Sequence, residues 1–391
     1  MTTIEPTPLL RHRRYWRWSA SAQLGRLPAA MAPLAFTVLT TATTGSYRLG
    51  GVLMAVFVAA ELLGAVPAGR LLDRIGPGRG LVLLLCCAAA GFAGMAVAVA
   101  NEAPAFLLAA TVVLPGLLAG GLSGGLRTLL AGAVEDALLP RAIAVDAMLI
   151  EGVLVAAPLL VAALSLVHTL LPLLAMATAY LGCAALLPRS ATPAPASAPG
   201  QRPRFPLRAA LCWLGCLFTI GHLLSTIEVA PLALAQRLGG GTAQAAVLVA
   251  VLCGASVAGS GLFAWRGRVG RPAALACLGC FLAGAVPVGF DLGWTGLLAG
   301  VVLIGACTGP LLTIASVRLQ GLLPPARRAE GFSFAFAVQA TGFGLGSLSV
   351  GLLPLTLPPL LGAVSAALTC AMLASSRAGR PEPIGTLSAS P

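Results

Sequence analysis

Residues 69–79 read GRLLDRIGPGR, a short polar segment placed between two long apolar runs. Its glycines permit a tight turn, and its charged side chains require water or charged partners. The apolar runs on either side are each about 20 residues long, which is enough for a helix to cross a bilayer. The segment therefore predicts a sharp connection between two membrane-spanning helices.

The composition of the chain predicts the same architecture throughout. Hydrophobic residues make up 58% of the sequence, charged residues only 9%, and the mean hydropathy is +0.95. Soluble domains carry about 25% charged residues. We therefore expect an all-α integral membrane protein with twelve transmembrane helices. The corresponding apolar runs cover residues 17–41, 47–69, 80–100, 105–128, 143–167, 169–187, 209–234, 243–265, 272–291, 294–316, 331–353 and 356–375.

The basic residues predict the orientation of these helices. The chain has no lysine, and threading twelve spans from an inner N-terminus places 21 of its 24 basic residues, all arginine, on the inner side. Arginine near span ends favours the cytoplasmic side. Both termini are therefore predicted to be cytoplasmic, in a multi-pass protein of the cell membrane. The net charge of +12 then suits anionic lipids at the cytoplasmic face, and no nucleic-acid partner is expected.

The chain divides near its middle. Residues 188–208 are rich in proline and arginine and poor in bulky apolar residues, as in a linker. The prediction is an N-terminal six-helix bundle (1–187), a cytoplasmic linker (188–208), a C-terminal six-helix bundle (209–376) and a cytoplasmic tail (377–391). Two parallel six-helix pseudo-repeats are typical of transporters whose site lies between the halves.

The polar segment quoted above resembles the Gly-x-x-x-Asp-Arg-x-Gly signature of the major facilitator superfamily, and it stands between the second and third spans as it does there. The matching residues are Gly69, Asp73, Arg74, Gly76 and Arg79. The resemblance implies a gating loop that latches one conformation. In that reading the two glycines form the turn, Asp73 faces the positive end of a helix in the other half, and the arginines reach acidic residues.

Two further features extend the resemblance. By topology, the nearest inner-face partners of this loop are Arg127, Glu135 and Asp136, so we expect them to form an inner-face charge network with it. The segments Arg26-Leu-Pro-Ala-Ala-Met and Asp146-x4-Glu151 are similar to a bacterial, actinobacterial-type branch of permeases in the superfamily.

Three charged residues fall at one predicted depth within the N-terminal half: Arg26, Glu61 and Glu151. Charges inside a bilayer are costly, so such residues are functional candidates. A buried charge also needs a close partner. We expect Arg26 to pair with Glu61, Glu151 or both beside a central cavity, either as a pair that breaks during transport or as a static structural pair.

The C-terminal half offers three candidates for the substrate and proton pathway. His222 and Glu228, in the seventh span, can each carry a proton. The alternatives are a hydrogen-bonded core histidine and a glutamate wetted by an outer vestibule. Gln339, in the eleventh span, can bind substrate or hold helices together.

The sequence predicts neither a catalytic site nor a metal site. The pair Cys277 and Cys280 has apolar flanks and no accompanying histidine, which favours simple packing. A nucleotide-binding loop of the Gly-x4-Gly-Lys type is excluded because there is no lysine. The expected energy source is therefore an ion gradient, and the expected ion is the proton. No cofactor is expected.

The expected function is secondary active transport by alternating access, performed by a monomer. Proton-coupled export of a small amphipathic or drug-like molecule is the leading prediction, and uptake of a small metabolite is the nearer alternative. A membrane-embedded enzyme or a non-transporting receptor is the alternative from a different class.

Overall fold

The structure is a computed structural model, and it describes residues 12–45, 47–187, 205–266, 269–290 and 292–375. The greater part of the predicted linker (188–204) and the predicted tail (377–391) lie outside these residues. The bundle boundaries predicted from the sequence remain predictions.

All regular secondary structure in the described part of the chain is helical, as predicted. The helices are α1 (Arg13–Thr44), α2 (Tyr47–Ile75), α3 (Pro77–Ala100), α4 (Ala105–Ala119), α5 (Leu122–Ala133), α6 (Leu139–Val167), α7 (Leu171–Leu186), α8 (Leu207–Glu228), α9 (Pro231–Arg237), α10 (Thr242–Arg266), α11 (Arg271–Gly289), α12 (Gly293–Leu322), α13 (Arg328–Leu352) and α14 (Leu357–Ser375), with a 3₁₀ turn at Pro325–Arg327 before α13.

Within the described residues, eleven helices are long and apolar enough to cross a membrane, with α4 and α5 counted together as one. The helix α7 is also apolar but has only 16 residues. Every apolar run that the sequence predicts as a span coincides with one of these helices or helix pairs.

Two predicted spans are interrupted. The run 105–128 is divided into α4 and α5 at Gly120 and Gly121, and the run 209–234 is divided between α8 and α9 ahead of Pro231. Proline has no N–H to donate within a helix and disfavours the helical conformation of the residue before it. The second interruption therefore follows directly from the position of Pro231.

The buried apolar residues form two separate clusters. One joins α1 to α7 around Trp18, Phe57 and Phe92, and the other joins α8 to α14 around Phe281 and Ile304. Ala329, at the start of α13, packs into the first cluster although it comes from the second half of the chain. The two halves of the molecule therefore meet at the N-terminal end of α13.

Glycines allow several helices to cross at very short distance. In the second half, a Cβ atom added at Gly259 of α10 would lie 1.9 Å from the carbonyl oxygen of Ala306 in α12. A Cβ added at Gly254 of the same helix would meet nothing within 4 Å. The α10–α12 contact thus depends on Gly259 and not on Gly254.

The variant Gly259→Ala should lose thermal stability, because the added methyl group forces α10 and α12 apart. We expect a cost of about 1–3 kcal/mol, the usual penalty for overpacking. The matched variant Gly254→Ala should melt close to the unaltered protein. Thermal melting of both purified variants in detergent measures the difference, and equal melting temperatures would contradict the proposed packing.

Candidate functional site

The Asp73 carboxylate joins the two halves of the molecule. Its Oδ1 accepts a hydrogen bond from the backbone N–H of Ala329 at 2.9 Å, and its Oδ2 accepts one from that of Glu330 at 2.8 Å. Both amides belong to the first turn of α13, whose N–H groups have no partner within the helix. The negative charge also lies at the positive end of the helix dipole. The predicted contact of Asp73 with a helix end in the other half is confirmed.

A charge network surrounds this contact. Arg70 Nε donates to Glu330 Oε1 at 2.8 Å, so α2 and α13 are also joined by an ion pair. Arg327 donates to both carboxylate oxygens of Glu330, at 2.9 Å and 2.8 Å. We call Asp73, Arg70, Glu330 and Arg327 the α2–α13 latch.

Small residues bring the backbones close enough for the latch to form. A Cβ added at Gly69 would lie 2.8 Å from the Cα of Glu330, and one added at Gly124 of α5 would lie 2.3 Å from the carbonyl oxygen of Ala329. The prediction that Gly69 forms part of the turn is wrong, because Gly69 lies inside α2 and serves helix packing. Only Gly76, with φ of 92°, forms the connection between α2 and α3.

The predicted roles of Arg74 and Arg79 are not those that the structure shows. Within the described residues, neither arginine forms an ion pair, and Arg70 is the α2 residue that reaches an acid of the other half. The physical reason is position on the helix. Asp73 already contacts α13, and Arg70, three residues earlier, reaches Glu330 of the same helix, whereas the side chains of Arg74 and Arg79 are exposed.

A second group of charges lies inside the first half, between α1, α5 and α6. Arg26 binds Asp146 through two parallel hydrogen bonds, Nη1 to Oδ1 at 2.6 Å and Nη2 to Oδ2 at 2.9 Å. Gln23 Nε2 donates to the same Oδ1 at 3.0 Å. The side chain of Asp146 is 0% exposed and that of Arg26 is 20% exposed. This arrangement is a bidentate ion pair between a buried carboxylate and a partly buried guanidinium, and it is geometrically specific.

The predicted pairing of Arg26 with Glu61 or Glu151 is therefore wrong. The prediction compared the depths of Cα atoms, but a helical side chain points back towards the N-terminal end of its helix. The long side chain of Arg26 thus reaches a level closer to the start of α1. Asp146, about 11 Å from the start of α6, is the acid found there.

Arg127 joins this cluster and not the inner-face charge network that was expected around the loop at residues 69–79. Its Nη1 lies 3.8 Å from Asp146 Oδ2, and its side chain is 12% exposed. Glu135 and Asp136 follow α5 in an exposed turn. Arg127 lies two turns before the end of α5, so its side chain faces α1 and α6 within the bundle.

A third polar group joins α6 of the first half to the second half. Ser256 of α10 donates a hydrogen bond to Glu151 Oε1 of α6 at 2.7 Å. The carboxylate of Glu228, at the end of α8, is close enough to that of Glu151 to interact electrostatically. Glu151 of the first half thus contacts α10 of the second half directly and interacts electrostatically with Glu228 of that second half.

The remaining predicted pathway residues lie apart from this pair. Glu61 is half-buried on α2, close enough to Tyr180 to interact electrostatically. His222 is buried in α8, and neither of its ring nitrogens has a hydrogen-bond partner in the described part of the chain. The backbone of Gln339 on α13 packs directly against Gly221 of α8.

Sequence reasoning missed six contributors: Gln23, Arg70, Asp146, Ser256, Arg327 and Glu330. Asp146 was visible as an acid near the start of an apolar run, and Glu330 as an acid immediately before one. In both cases a charged residue within or beside an apolar run marked the position. The sequence did not indicate which side chains from distant helices would pair.

Comparison with known proteins agrees with this architecture. The sequence model of the Major Facilitator Superfamily matches residues 24–347. The chain belongs to the major facilitator superfamily. It is thus a multi-pass membrane protein with the fold of a transporter family. The match does not confirm the actinobacterial-type permease branch that the sequence suggested. A comparison with curated protein sequences finds no match.

Several solved structures share this fold. The human organic anion transporter MFSD10 (TETRAN) is 18% identical, with a TM-score of 0.71 over 93% of this chain and 99% of that one. A bacterial homologue of the iron transporter ferroportin, in an outward-facing state, is 16% identical, with a TM-score of 0.72 over 92% and 98%. The E. coli fucose:proton symporter FucP is 14% identical, with a TM-score of 0.66 over 93% and 99%. At these identities the likeness shows the fold alone.

In this superfamily member, Asp146→Asn should strongly destabilise the protein, because two partly buried arginines would lose the one acid that pairs with them among the described residues. Breaking a buried pair costs about 3–5 kcal/mol. Adding Arg127→Gln should recover part of the loss. Thermal melting measures both effects, with the exposed-acid variant Glu135→Gln as control. Equal melting of Asp146→Asn and Glu135→Gln would contradict a structural contribution of the pair.

The variant Asp73→Asn should loosen the start of α13, because a neutral amide accepts from the helix N-terminus more weakly than a carboxylate. A loss of about 1–2 kcal/mol is expected. Deuterium exchange of the Ala329 and Glu330 amides should then accelerate roughly tenfold, since 1.4 kcal/mol corresponds to that factor. The same substitution at exposed Asp136 is the control. Unchanged exchange at Ala329 in Asp73→Asn would show that the latch contact contributes little.

Proposed function

We propose that this protein is a secondary active transporter that works by alternating access, with twelve spans and both termini in the cytoplasm. The observation that carries the proposal is the Asp73 contact with the first turn of α13. This contact closes the two halves on one side through hydrogen bonds and ion pairs, which can break without disrupting either apolar core. A closure of that kind is what rocking of one half against the other requires.

The distribution of arginine supports placing the latch at the cytoplasmic face. Arg70, Arg74 and Arg79 flank the α2–α3 connection, and basic residues beside spans favour the cytoplasm. The described conformation would then be closed towards the cytoplasm. We place the protein in the cell membrane as a monomer, with anionic lipids against its arginine-rich face.

Protons are the coupling ion that the Glu151–Glu228 pair favours. Two carboxylates from opposite halves repel each other in a low-dielectric environment, so a bound proton stabilises their approach. Ser256 holds Glu151 in place with a 2.7 Å hydrogen bond. When the halves separate, the carboxylates part and the proton is released. Binding of a proton is thereby linked to the conformational change, and no cofactor is needed.

The proposed direction is export of a small amphipathic or drug-like molecule in exchange for protons. Half-buried Gln339 and buried His222 supply isolated polar groups among largely apolar helices, which suits such a substrate. Uptake of a small metabolite uses the same machinery and differs only in the direction of coupling.

Counterflow in proteoliposomes tests both transport and its coupling. A panel of labelled amphipathic compounds is offered to the unaltered protein, to Glu151→Gln and to Glu228→Gln, with and without a pH gradient. We expect all three proteins to exchange substrate in the absence of a gradient. Only the unaltered protein should accumulate substrate when a gradient is imposed, because the variants have lost a proton-binding carboxylate.

Glu102→Gln, at an exposed turn between α3 and α4, is the matched control and should accumulate substrate normally. Accumulation that persists in both carboxylate variants would rule out their coupling role. If the substrate instead moves across the membrane in the same direction as the protons, the protein is an uptake transporter and not an exporter. The complete lack of flux across the panel would contradict transport.

A further inference from the structure

The charges around Asp146 do not balance. Two partly buried arginines, Arg26 and Arg127, face one buried carboxylate, and in the described residues no other acid forms an ion pair with either of them. The cluster therefore carries one uncompensated positive charge inside the first half. Burial of an unpaired charge is strongly unfavourable unless a partner of opposite sign is supplied.

The hydrogen bonds locate the imbalance at Arg127. Both oxygens of Asp146 are bound to Arg26, and Gln23 occupies Oδ1 as well. Arg127 Nη1 is buried, lacks a hydrogen-bond partner in the described part of the chain, and lies 3.8 Å from Asp146 Oδ2. That separation is too long for a hydrogen bond, but a displacement of about 1 Å would bring it within the usual range.

We propose that Arg26 binds the anionic group of the transported molecule, and that Asp146 passes from Arg26 to Arg127 when it does so. This inference rests on the proposed transport function and names the substrate class: a small organic monocarboxylate. Arg127 is a positioning residue, since it holds Asp146 and so frees the Arg26 guanidinium. The exchange keeps Asp146 paired in both arrangements.

The net charge of the Arg26–Arg127–Asp146 cluster favours a monoanion as the ligand. One bound carboxylate neutralises the cluster, whereas a dianion would leave a net negative charge and a neutral molecule would leave the excess positive charge in place. The guanidinium of Arg26 presents its donors in a planar fork that matches a carboxylate. Its side chain is the more exposed of the two arginines, at 20% against 12%, so we assign the contact with the ligand to Arg26.

The surroundings of Arg26 suit an organic body on that carboxylate. Neighbouring positions on α1 are apolar and only partly buried: Leu27, Ala30 and Leu34. An apolar ligand surface placed against them would leave water while its charged end binds Arg26. Inorganic anions lack this second contribution.

Binding to the purified full-length protein in detergent provides the test. The probes are benzoate and octanoate as monoanions, benzamide as a neutral molecule of matched shape, and phthalate as a dianion. Affinity is measured by the ligand-dependent shift of thermal melting and by calorimetry. We expect at least one monoanion to bind at least tenfold more tightly than benzamide and phthalate.

Three substitutions separate the proposed role from a structural one. Arg26→Gln should abolish monoanion binding while Asp146 remains paired with Arg127. Arg127→Gln should weaken binding about tenfold because Asp146 stays on Arg26, yet it should leave the unliganded protein as stable as before, or more stable. Asp146→Asn, where it folds, should tighten binding because Arg26 is released. Exposed Arg318→Gln, in the other half, is the control and should bind normally.

The outcomes distinguish this inference from the proposed function. Failure of both monoanions to bind more tightly than benzamide, or unchanged binding in Arg26→Gln, overturns the inference even if neutral compounds are transported in proteoliposomes. Monoanion binding with the expected response to substitution, but without flux of any compound, supports the site and overturns transport.

Discussion

The first turn of α13 is where the two halves depend on each other. Its N–H groups have no partner within the helix, and the Asp73 carboxylate from the other half binds two of them at 2.9 Å and 2.8 Å. The close approach of Gly69 and Gly124 to α13 follows from the same contact, since bulkier residues would hold the carboxylate out of reach. One interaction between a charge and a helix end thus sets how α2, α5 and α13 pack.

The sequence predicted most of the fold because a bilayer restricts it so strongly. Every backbone polar group must be satisfied within a spanning segment, so an apolar run of sufficient length becomes a helix. The interruptions at Gly120 and ahead of Pro231 were not predicted, since neither breaks the apolar run that identifies a span. In a membrane protein, the apolar composition of a segment indicates that it spans the bilayer, but it does not indicate where the helix is interrupted.

The candidate site was predictable where one partner is backbone and not where both are side chains. The partner of Asp73 was predicted because a helix N-terminus attracts an acid whatever its sequence. The partner of Arg26 was not, because Arg26 and Asp146 lie 120 residues apart and their meeting depends on side-chain length and direction. Depth along a helix axis, counted at Cα, is too coarse by about one helical turn for a side chain as long as arginine.

The two charge groups of the first half are joined by α5. Gly124 packs against the α13 residue whose amide binds Asp73, and Arg127, three residues later on a neighbouring face, points at Asp146. The Trp18 side chain also donates to the carbonyl oxygen of Leu126 at 2.9 Å, so α1 is attached to the same turn. In the proposed exchange, Asp146 passes to the arginine of a helix that also packs against α13 at Gly124. The Arg26–Asp146 cluster and the α2–α13 latch therefore share α5 as a common element.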